Sequence, residues 1–385
     1  MNFLILGEGP EELAWAEAIA NSTRHHVVAA YPGFLDSPAA TVPNAGDLDD
    51  ALGKSGVEAV LVGGPPEFRA EALRRVAAEG IPAICLHPPG PDSEAYYLVA
   101  MSRAETGAVL VPDLTARLHP AVAALREGFS SGFLGEIKSL KYEVKFAASE
   151  GDLVRDGFAR GIDLVRAIAG EIDAANASGD PPGEHPDSEL VVQLRVSNSR
   201  RAEVRLNLAA VAGSCLSVTG TNGSASLEFG DDPTGPARLV FLESDRKETV
   251  REFESWDART ALLSVLAEAV AGRTVHPDLV DGTRAMEISE AVSRSLRRGR
   301  TVELHYEEIS EQGTFKSVMT SVGCLVLMSI LFVLPLALAG PVLGVGWTIY
   351  LAYLIPPVLV AFILMQLFRF TTRGPGTPSG TRVES

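Results

Sequence analysis

Gly7-Glu8-Gly9-Pro10-Glu11-Glu12 places two glycines two apart, directly after a short apolar run and at the start of a helical pattern. A glycine loop opening a helix suits phosphate, because the backbone can approach the anion closely and the helix N-terminus presents free N–H groups. Here the first helical turn already holds two carboxylates. Glu11 and Glu12 satisfy the positive end of the helix dipole themselves, and they face the place a pyrophosphate needs. Two like charges about 4 Å apart repel by about 4 kcal/mol at an effective dielectric of about 20, which removes most of an ordinary affinity. The alternative is a plain strand-to-helix turn. The second strand brings no acid for ribose hydroxyls, since Val27-Val28-Ala29-Ala30 runs into Tyr31-Pro32-Gly33 and no acid follows before Asp36.

Two other places could act on a ligand. His87 titrates near neutrality and can serve as an acid or base, although a lone histidine at a strand end also serves as a plain hydrogen-bonded side chain. Asp156, Arg160 and Asp163, spaced by four and three, fall on one helical face. Arginine stays protonated and cannot shuttle a proton, but it can bind a carboxylate or phosphate. The same spacing also describes a surface ion-pair ladder.

The elements that must position these residues alternate over the first third of the chain. Strands are expected at Asn2–Leu6, Val27–Ala30, Val57–Val62, Ala83–Leu86 and Ala108–Val111, with helices at Glu11–Ala20, Leu48–Lys54, Pro66–Glu79 and Ser93–Thr106. That alternation is the pattern of a parallel, doubly wound sheet covered by helices. From about Glu136 the hydrophobic period becomes two. Strands are expected at Ile137–Phe146, Leu190–Val196, Ala202–Leu208, Leu216–Thr219, Ala225–Phe229 and Ala237–Leu242, with Thr221-Asn222-Gly223 as a hairpin turn. Helices Pro120–Ser131, Asp156–Ala169, Asp257–Ala271 and Gly282–Arg298 surround them, and Ser178–Ser188 reads as a surface loop. The fold class is therefore α/β plus α+β: a Rossmann-like domain over residues 1–115, then a mostly antiparallel sheet domain over 116–305.

The last part of the chain changes character. After a linker over 306–316, Ser317–Leu338 and Val342–Phe368 carry no charged residue, and each is long enough to cross a hydrocarbon core of roughly 30 Å as a helix. They are joined by Ala339-Gly340-Pro341, so 317–370 reads as a transmembrane hairpin, with Pro356-Pro357 leaving open a re-entrant second segment. Lys316, Arg369 and Arg373 flank the hairpin, which places both termini and the large domain on the cytoplasmic side of the cell membrane. Residues 371–385 form a disordered cytoplasmic tail, and Gly340, Gly344 and Gly346 let helices approach closely, as in a homo-oligomer. The spans hold no ionisable residue, which favours an anchor in membrane lipid over a transport pathway.

Charge and cysteine content exclude other classes. A net charge of −16 leaves no basic stripe for a nucleic acid. Cys85, Cys215 and Cys324 lie far apart and suggest neither a metal site nor a disulfide framework.

Several stretches carry a resemblance. Val57-Glu58-Ala59-Val60-Leu61-Val62-Gly63-Gly64-Pro65-Pro66, His119-Pro120-Ala121-Val122, Leu134-Gly135-Glu136-Ile137, Gly220-Thr221-Asn222-Gly223-Ser224 and Arg294-Ser295-Leu296-Arg297-Arg298-Gly299-Arg300 are similar to segments of the glucose-fructose oxidoreductase and inositol dehydrogenase family, Gfo/Idh/MocA. The resemblance spans about residues 2–304. It implies NAD or NADP bound by the first domain, around Gly7, Gly9, Pro10, Gly64 and Pro65, and a sugar, cyclitol or related polyol bound against the second. It also implies a lysine after the fourth strand and a histidine on a helix of the second domain. The matching residues here are His87, within Leu86-His87-Pro88, and Arg160, between Asp156 and Asp163. Two functions follow. One is a membrane-anchored oxidoreductase using His87, Arg160 and Asp163; the other is a catalytically degenerate member acting as a tethered ligand-sensing or scaffold module.

Overall fold

The computed structural model describes residues 1–33, 46–54, 56–146, 154–180, 189–197, 200–208, 212–230, 235–243 and 247–306, with Pro335 besides. The chain divides into two units, Met1–Tyr306 and Glu307–Ser385. The hairpin expected at 317–370 and the tail after it lie outside the described residues. Among the described residues no helix is long and apolar enough to cross a membrane.

The first half builds β1 (Asn2–Leu6), α1 (Pro10–Ala20), β2 (His26–Tyr31), α2 (Leu48–Gly53), β3 (Ala59–Val62), α3 (Pro66–Ala78), β4 (Ala83–Cys85), α4 (Glu94–Thr106) and β5 (Leu110–Pro112). The five strands pair in parallel in the order β2-β1-β3-β4-β5. Their residues are apolar without alternation because both faces are covered; Phe3, Leu4, Ile5 and Leu6 are each fully buried. A parallel sheet brings the C-terminal end of every strand to one edge. Gly7, Gly63, His87 and Asp113 lie at or just beyond the ends of β1, β3, β4 and β5, so sequence-distant loops converge there, where open α/β sheets bind ligands.

The second half continues with a 3-10 turn (Thr115–Leu118), α5 (Pro120–Ser130), β6 (Ile137–Phe146), a π-helical turn (Val154–Phe158), α6 (Ala159–Ala169), β7 (Ile172–Gly179), β8 (Glu189–Val196) and β9 (Arg200–Leu208). Then come β10 (Gly213–Gly220), β11 (Gly223–Phe229), β12 (Ala237–Glu243), β13 (Glu248–Phe253), α7 (Ala258–Val270), α8 (Leu279–Arg298) and β14 (Val302–Glu303). The nine strands run β13-β12-β11-β10-β6-β9-β8-β7-β14, antiparallel except for the parallel β6–β9 pair. Alternation sends Leu140, Tyr142, Val192, Leu194, Val204 and Leu216 into the core, while Lys141, Arg195 and Arg205 stand on the opposite face with exposed or half-buried side chains. α8 begins with a capping box between Asp278 and Asp281 and ends at Gly299 with φ 60°.

Three strands differ from the sequence expectation by being present, β7, β13 and the two-residue β14. β7 runs through Ala, Asn and Gly, residues with little strand preference, and forms because β8 pairs along its whole length. β13 is an almost wholly exposed strand and, among the described residues, pairs only with β12. The helix expected at Asp156–Ala169 is α-helical only from Ala159, so Asp156 sits in the preceding π turn. α7 packs Leu262, Leu263 and Leu266 on Phe3, Ile5 and Trp15, covering the face of the first sheet that α1 alone leaves open.

Candidate functional site

The loop after β1 turns at Gly7, whose φ of 119° suits glycine. Gly9 caps α1 without a side-chain bond, Pro10 takes the first helical position, and Glu11 and Glu12 form its acidic first turn. The two carboxylates go different ways. Glu12 is only 4% exposed and folds back over the loop, its Oε1 accepting from the Gly64 N–H at 2.6 Å. Built Cβ atoms on Gly7 and Gly9 would lie 2.9 Å from Oε1 and 2.5 Å from Oε2 of Glu12, and one on Gly63 would lie closer still. The carboxylate thus occupies the space that the glycines leave, beside the helix N-terminus.

Glu11 points toward the second domain. Its two oxygens accept from Arg160 Nη1 and Nη2 at 3.0 and 3.1 Å, and the Arg160 Nε donates to the His87 carbonyl at 2.7 Å. Burial alone would raise the Glu11 pKa; the hydrogen bonds and charge of Arg160, with Arg69 and Arg259, outweigh it and hold the group below its ordinary value. Arg160 therefore clasps the first turn of α1 and the loop after β4 to the first turn of α6.

The loops after β3 and β4 are tied together from below. Arg69 on α3 is nearly buried and donates to the carbonyls of Gly64 (2.8 Å), Leu86 (3.3 Å) and Pro88 (2.5 Å). Pro65 caps α3. His87 is fully buried, with Nδ1 3.0 Å from the Tyr96 hydroxyl and the two rings stacked. Its Nε2 makes no hydrogen bond of ordinary geometry among the described residues. Burial, reinforced by the charges of Arg160 and Arg69 and opposed by the Ala159 backbone, lowers the His87 pKa to about 3. At neutral pH the ring is neutral and shut off from solvent, a poor arrangement for exchanging protons with a ligand.

Of the three residues expected to act together, the structure joins two. His87 and Arg160 meet through the His87 carbonyl, whereas Asp163 turns into the protein. Asp163 is 1% exposed and accepts from Arg117 Nε and Nη2 at 2.7 and 2.6 Å. Arg117 also bonds Asp281 at 2.5 Å, and Arg166 reaches Asp163, Asp281 and Glu171. This buried network locks the 3-10 turn, α6 and α8 together; it is neither a cleft constellation nor a surface ladder. Burial, with Asp281 nearby and against the pull of Arg117 and Arg166, moves the Asp163 pKa up to about 6. His276, Asp278 and Asp281 gather within 4.8 Å of one another, but Arg117 and Arg166 already supply positive charge to Asp281.

Sequence reasoning missed a cavity of about 290 Å³ beside the clasp, lined by Glu11, Trp15, Asp113, Arg160, Trp256 and Arg259. Trp15 Nε1 donates to Asp113 at 3.3 Å, and burial raises the Asp113 pKa. Trp256 Nε1 is buried with no hydrogen-bond partner among the described residues. Trp256 and Arg259 precede or open α7, far from the glycine loop in sequence, and the only signal for them was that a parallel sheet needs a second helix on its α1 face.

With this geometry established, comparison with known proteins places the fold. No protein-family model matches the chain. It is 25% identical over 225 residues to inositol 2-dehydrogenase of Leifsonia xyli, covering 56% of this chain and 65% of that one. It is 23% identical over 174 residues to inositol 2-dehydrogenase of an Arthrobacter strain, covering 42% and 52%. The chain thus spans less than two thirds of the length of either relative. Levoglucosan dehydrogenase in complex with NADH and L-sorbose superposes with a TM-score of 0.68 at 18% identity, covering 80% of this chain and 99% of that one. A Rossmann-like domain followed by a mostly antiparallel sheet is the fold these proteins share.

In this chain the residues of that shared fold do not fit a dinucleotide. A pyrophosphate needs the space over Gly7 and Gly9, and the Glu12 carboxylate fills it with like charge.

Proposed function

We propose that the chain is a Gfo/Idh/MocA-type protein that binds a sugar- or cyclitol-like molecule beside Arg160 and senses it, without passing hydride to a nicotinamide. Its relatives are inositol dehydrogenases, and a neighbour of the same fold is an NADH complex, so NAD-dependent oxidation of a polyol is the activity the resemblance points to. The observation that carries the departure is Glu12, buried over the glycine loop and bonded to Gly64. The positions matching the family's lysine and histidine hold His87, buried and neutral, and Arg160, permanently charged.

What remains open is the cavity. Two indoles, three carboxylates and two guanidinium groups line a space of about 290 Å³. Indole faces among converging polar groups suit a small polyhydroxylated ring, and the Trp256 N–H has no hydrogen-bond partner among the described residues. The charge-free runs 317–338 and 342–368 support a membrane tether for this module.

The test is titration of full-length protein with myo-inositol and D-glucose, followed by tryptophan fluorescence and calorimetry. Saturable binding is expected, weakened about tenfold by Trp256→Phe, which keeps an aromatic ring and removes the donor. No response to either compound at millimolar concentration, or steady turnover of either with NAD⁺, refutes the reading. Retention of the chain in membranes after alkaline carbonate washing tests the tether.

A further inference from the structure

We propose that Glu12 is a built-in replacement for the pyrophosphate of a dinucleotide, and that Gly9 and Gly63 are glycines because this side chain, not a nucleotide, lies on them. The inference rests on the two glycines whose backbones make no demand for the residue. Gly9 has φ −74° and ψ 174°, an extended conformation open to any amino acid. The three nearest atoms a Cβ there would meet all belong to Glu12, with Oε2 at 2.5 Å and Cδ at 3.5 Å. Gly63 likewise lies outside the left-handed region, and the nearest atoms a Cβ would meet are Oε1, Cγ and Cδ of Glu12. Gly63 follows β3, across the sheet edge from α1, so its lack of a side chain belongs to the same packing as the glutamate.

The chemistry of the contact is that of an anion site already satisfied. Glu12 stands in the first turn of an eleven-residue helix, where the free N–H groups and the dipole favour negative charge. Its carboxylate also takes the Gly64 N–H, a donor on the loop that the family resemblance assigns to the cofactor. A phosphate arriving here would have to displace a carboxylate that is 4% exposed. Glu12 is thus the residue that determines whether the first domain takes a nucleotide.

The experiment uses full-length protein and NADH, NADPH and NAD⁺ as probes, with binding read by calorimetry and by nicotinamide fluorescence. Wild type is expected to show no saturation at millimolar concentration. Glu12→Gly is expected to bind at least one dinucleotide about a hundredfold or more tighter than wild type, in line with removal of both bulk and like charge. Glu12→Gln keeps the bulk and is expected to stay close to wild type. The second readout needs no nucleotide. Gly63→Ala should lower the melting temperature of wild type by several degrees through overpacking, and should be tolerated when combined with Glu12→Ala. Micromolar binding by wild type overturns the proposal, as does a Glu12→Gly protein that melts cooperatively and binds no better. Equal destabilisation by Gly63→Ala in both backgrounds overturns it as well. Polyol binding to wild type is measured in the same titrations, so failure of this inference is distinguishable from failure of the ligand-sensing reading.

Discussion

One helix, α6, takes part in two sets of carboxylate–guanidinium contacts that differ chiefly in their access to water. At its first turn Arg160 bonds Glu11 with both side chains about half exposed. One turn later Asp163, and then Arg166, enter a network with Arg117 and Asp281 in which every one of these four side chains is nearly buried. In water the first contact is screened and each partner is readily resolvated, so it can open at little cost. In the interior, each charge depends on its partners because solvent cannot replace them. The buried set fixes where α6 stands; the exposed set ties the first turn of α6 to that of α1.

The largest effect should come from breaking the buried set. Asp163→Asn leaves Arg117 and Arg166 short of a counter-charge and should cost about 3–5 kcal/mol in chemical denaturation, the range for an orphaned buried ion. Replacing Arg117 by Met and Asp163 by Leu together should cost less than the sum of the single changes, because no unpaired charge remains between them. Additive losses would show that the network is not a unit.

The cleft side has buried titratable groups of its own, and His87 among them makes the comparison pH-dependent. His87 has a pKa of about 3 in the folded protein against about 6.5 in an unfolded chain. As pH falls below about 6.5 the unfolded chain takes up a proton that the folded chain refuses until about pH 3. Stability should therefore fall with decreasing pH across that window, by up to about 1.4 kcal/mol per unit from this group. Urea midpoints measured between pH 7 and 4 should drop less steeply in His87→Gln than in wild type. Parallel curves would mean that another group governs the acid limb.

These two sites also differ in how far the sequence disclosed them. The parallel half was legible because unbroken apolar strands separated by helical patterns leave little choice of architecture, and Gly7, Gly9 and Glu12 announced both the loop and its conflict. Asp163 was read onto the cleft because spacing places residues on a helix face without saying what covers that face; Arg117 and Asp281, which bury it, are 46 and 118 positions away. Trp256 entered the cavity only through α7 crossing back onto the first sheet, a long-range packing event with no local signature. β7 was invisible for a related reason, since its stability lies in its pairing with β8 and β14 and not in its own residues.

The smallest effect sharpens the comparison most. In a double-mutant cycle of Glu11→Gln and Arg160→Met, the coupling should be about 0.2–1 kcal/mol at low salt, the range of exposed pairs. It should largely vanish at 1 M salt, where the Debye length is about 3 Å. Glu11 titrates below its ordinary value while paired, so the coupling should persist on mild acidification and disappear as pH falls through that lowered pKa. The weakness is what the proposed ligand binding requires of this contact. Arg160 lines the cavity as well as the clasp, and a ligand carrying its own acceptors can take over the guanidinium only if Glu11 gives it up cheaply. Saturating myo-inositol should then reduce the measured coupling further. A coupling above 2 kcal/mol that salt leaves unchanged would place this pair with the buried network, and the cleft would be a fixed joint without access for a ligand.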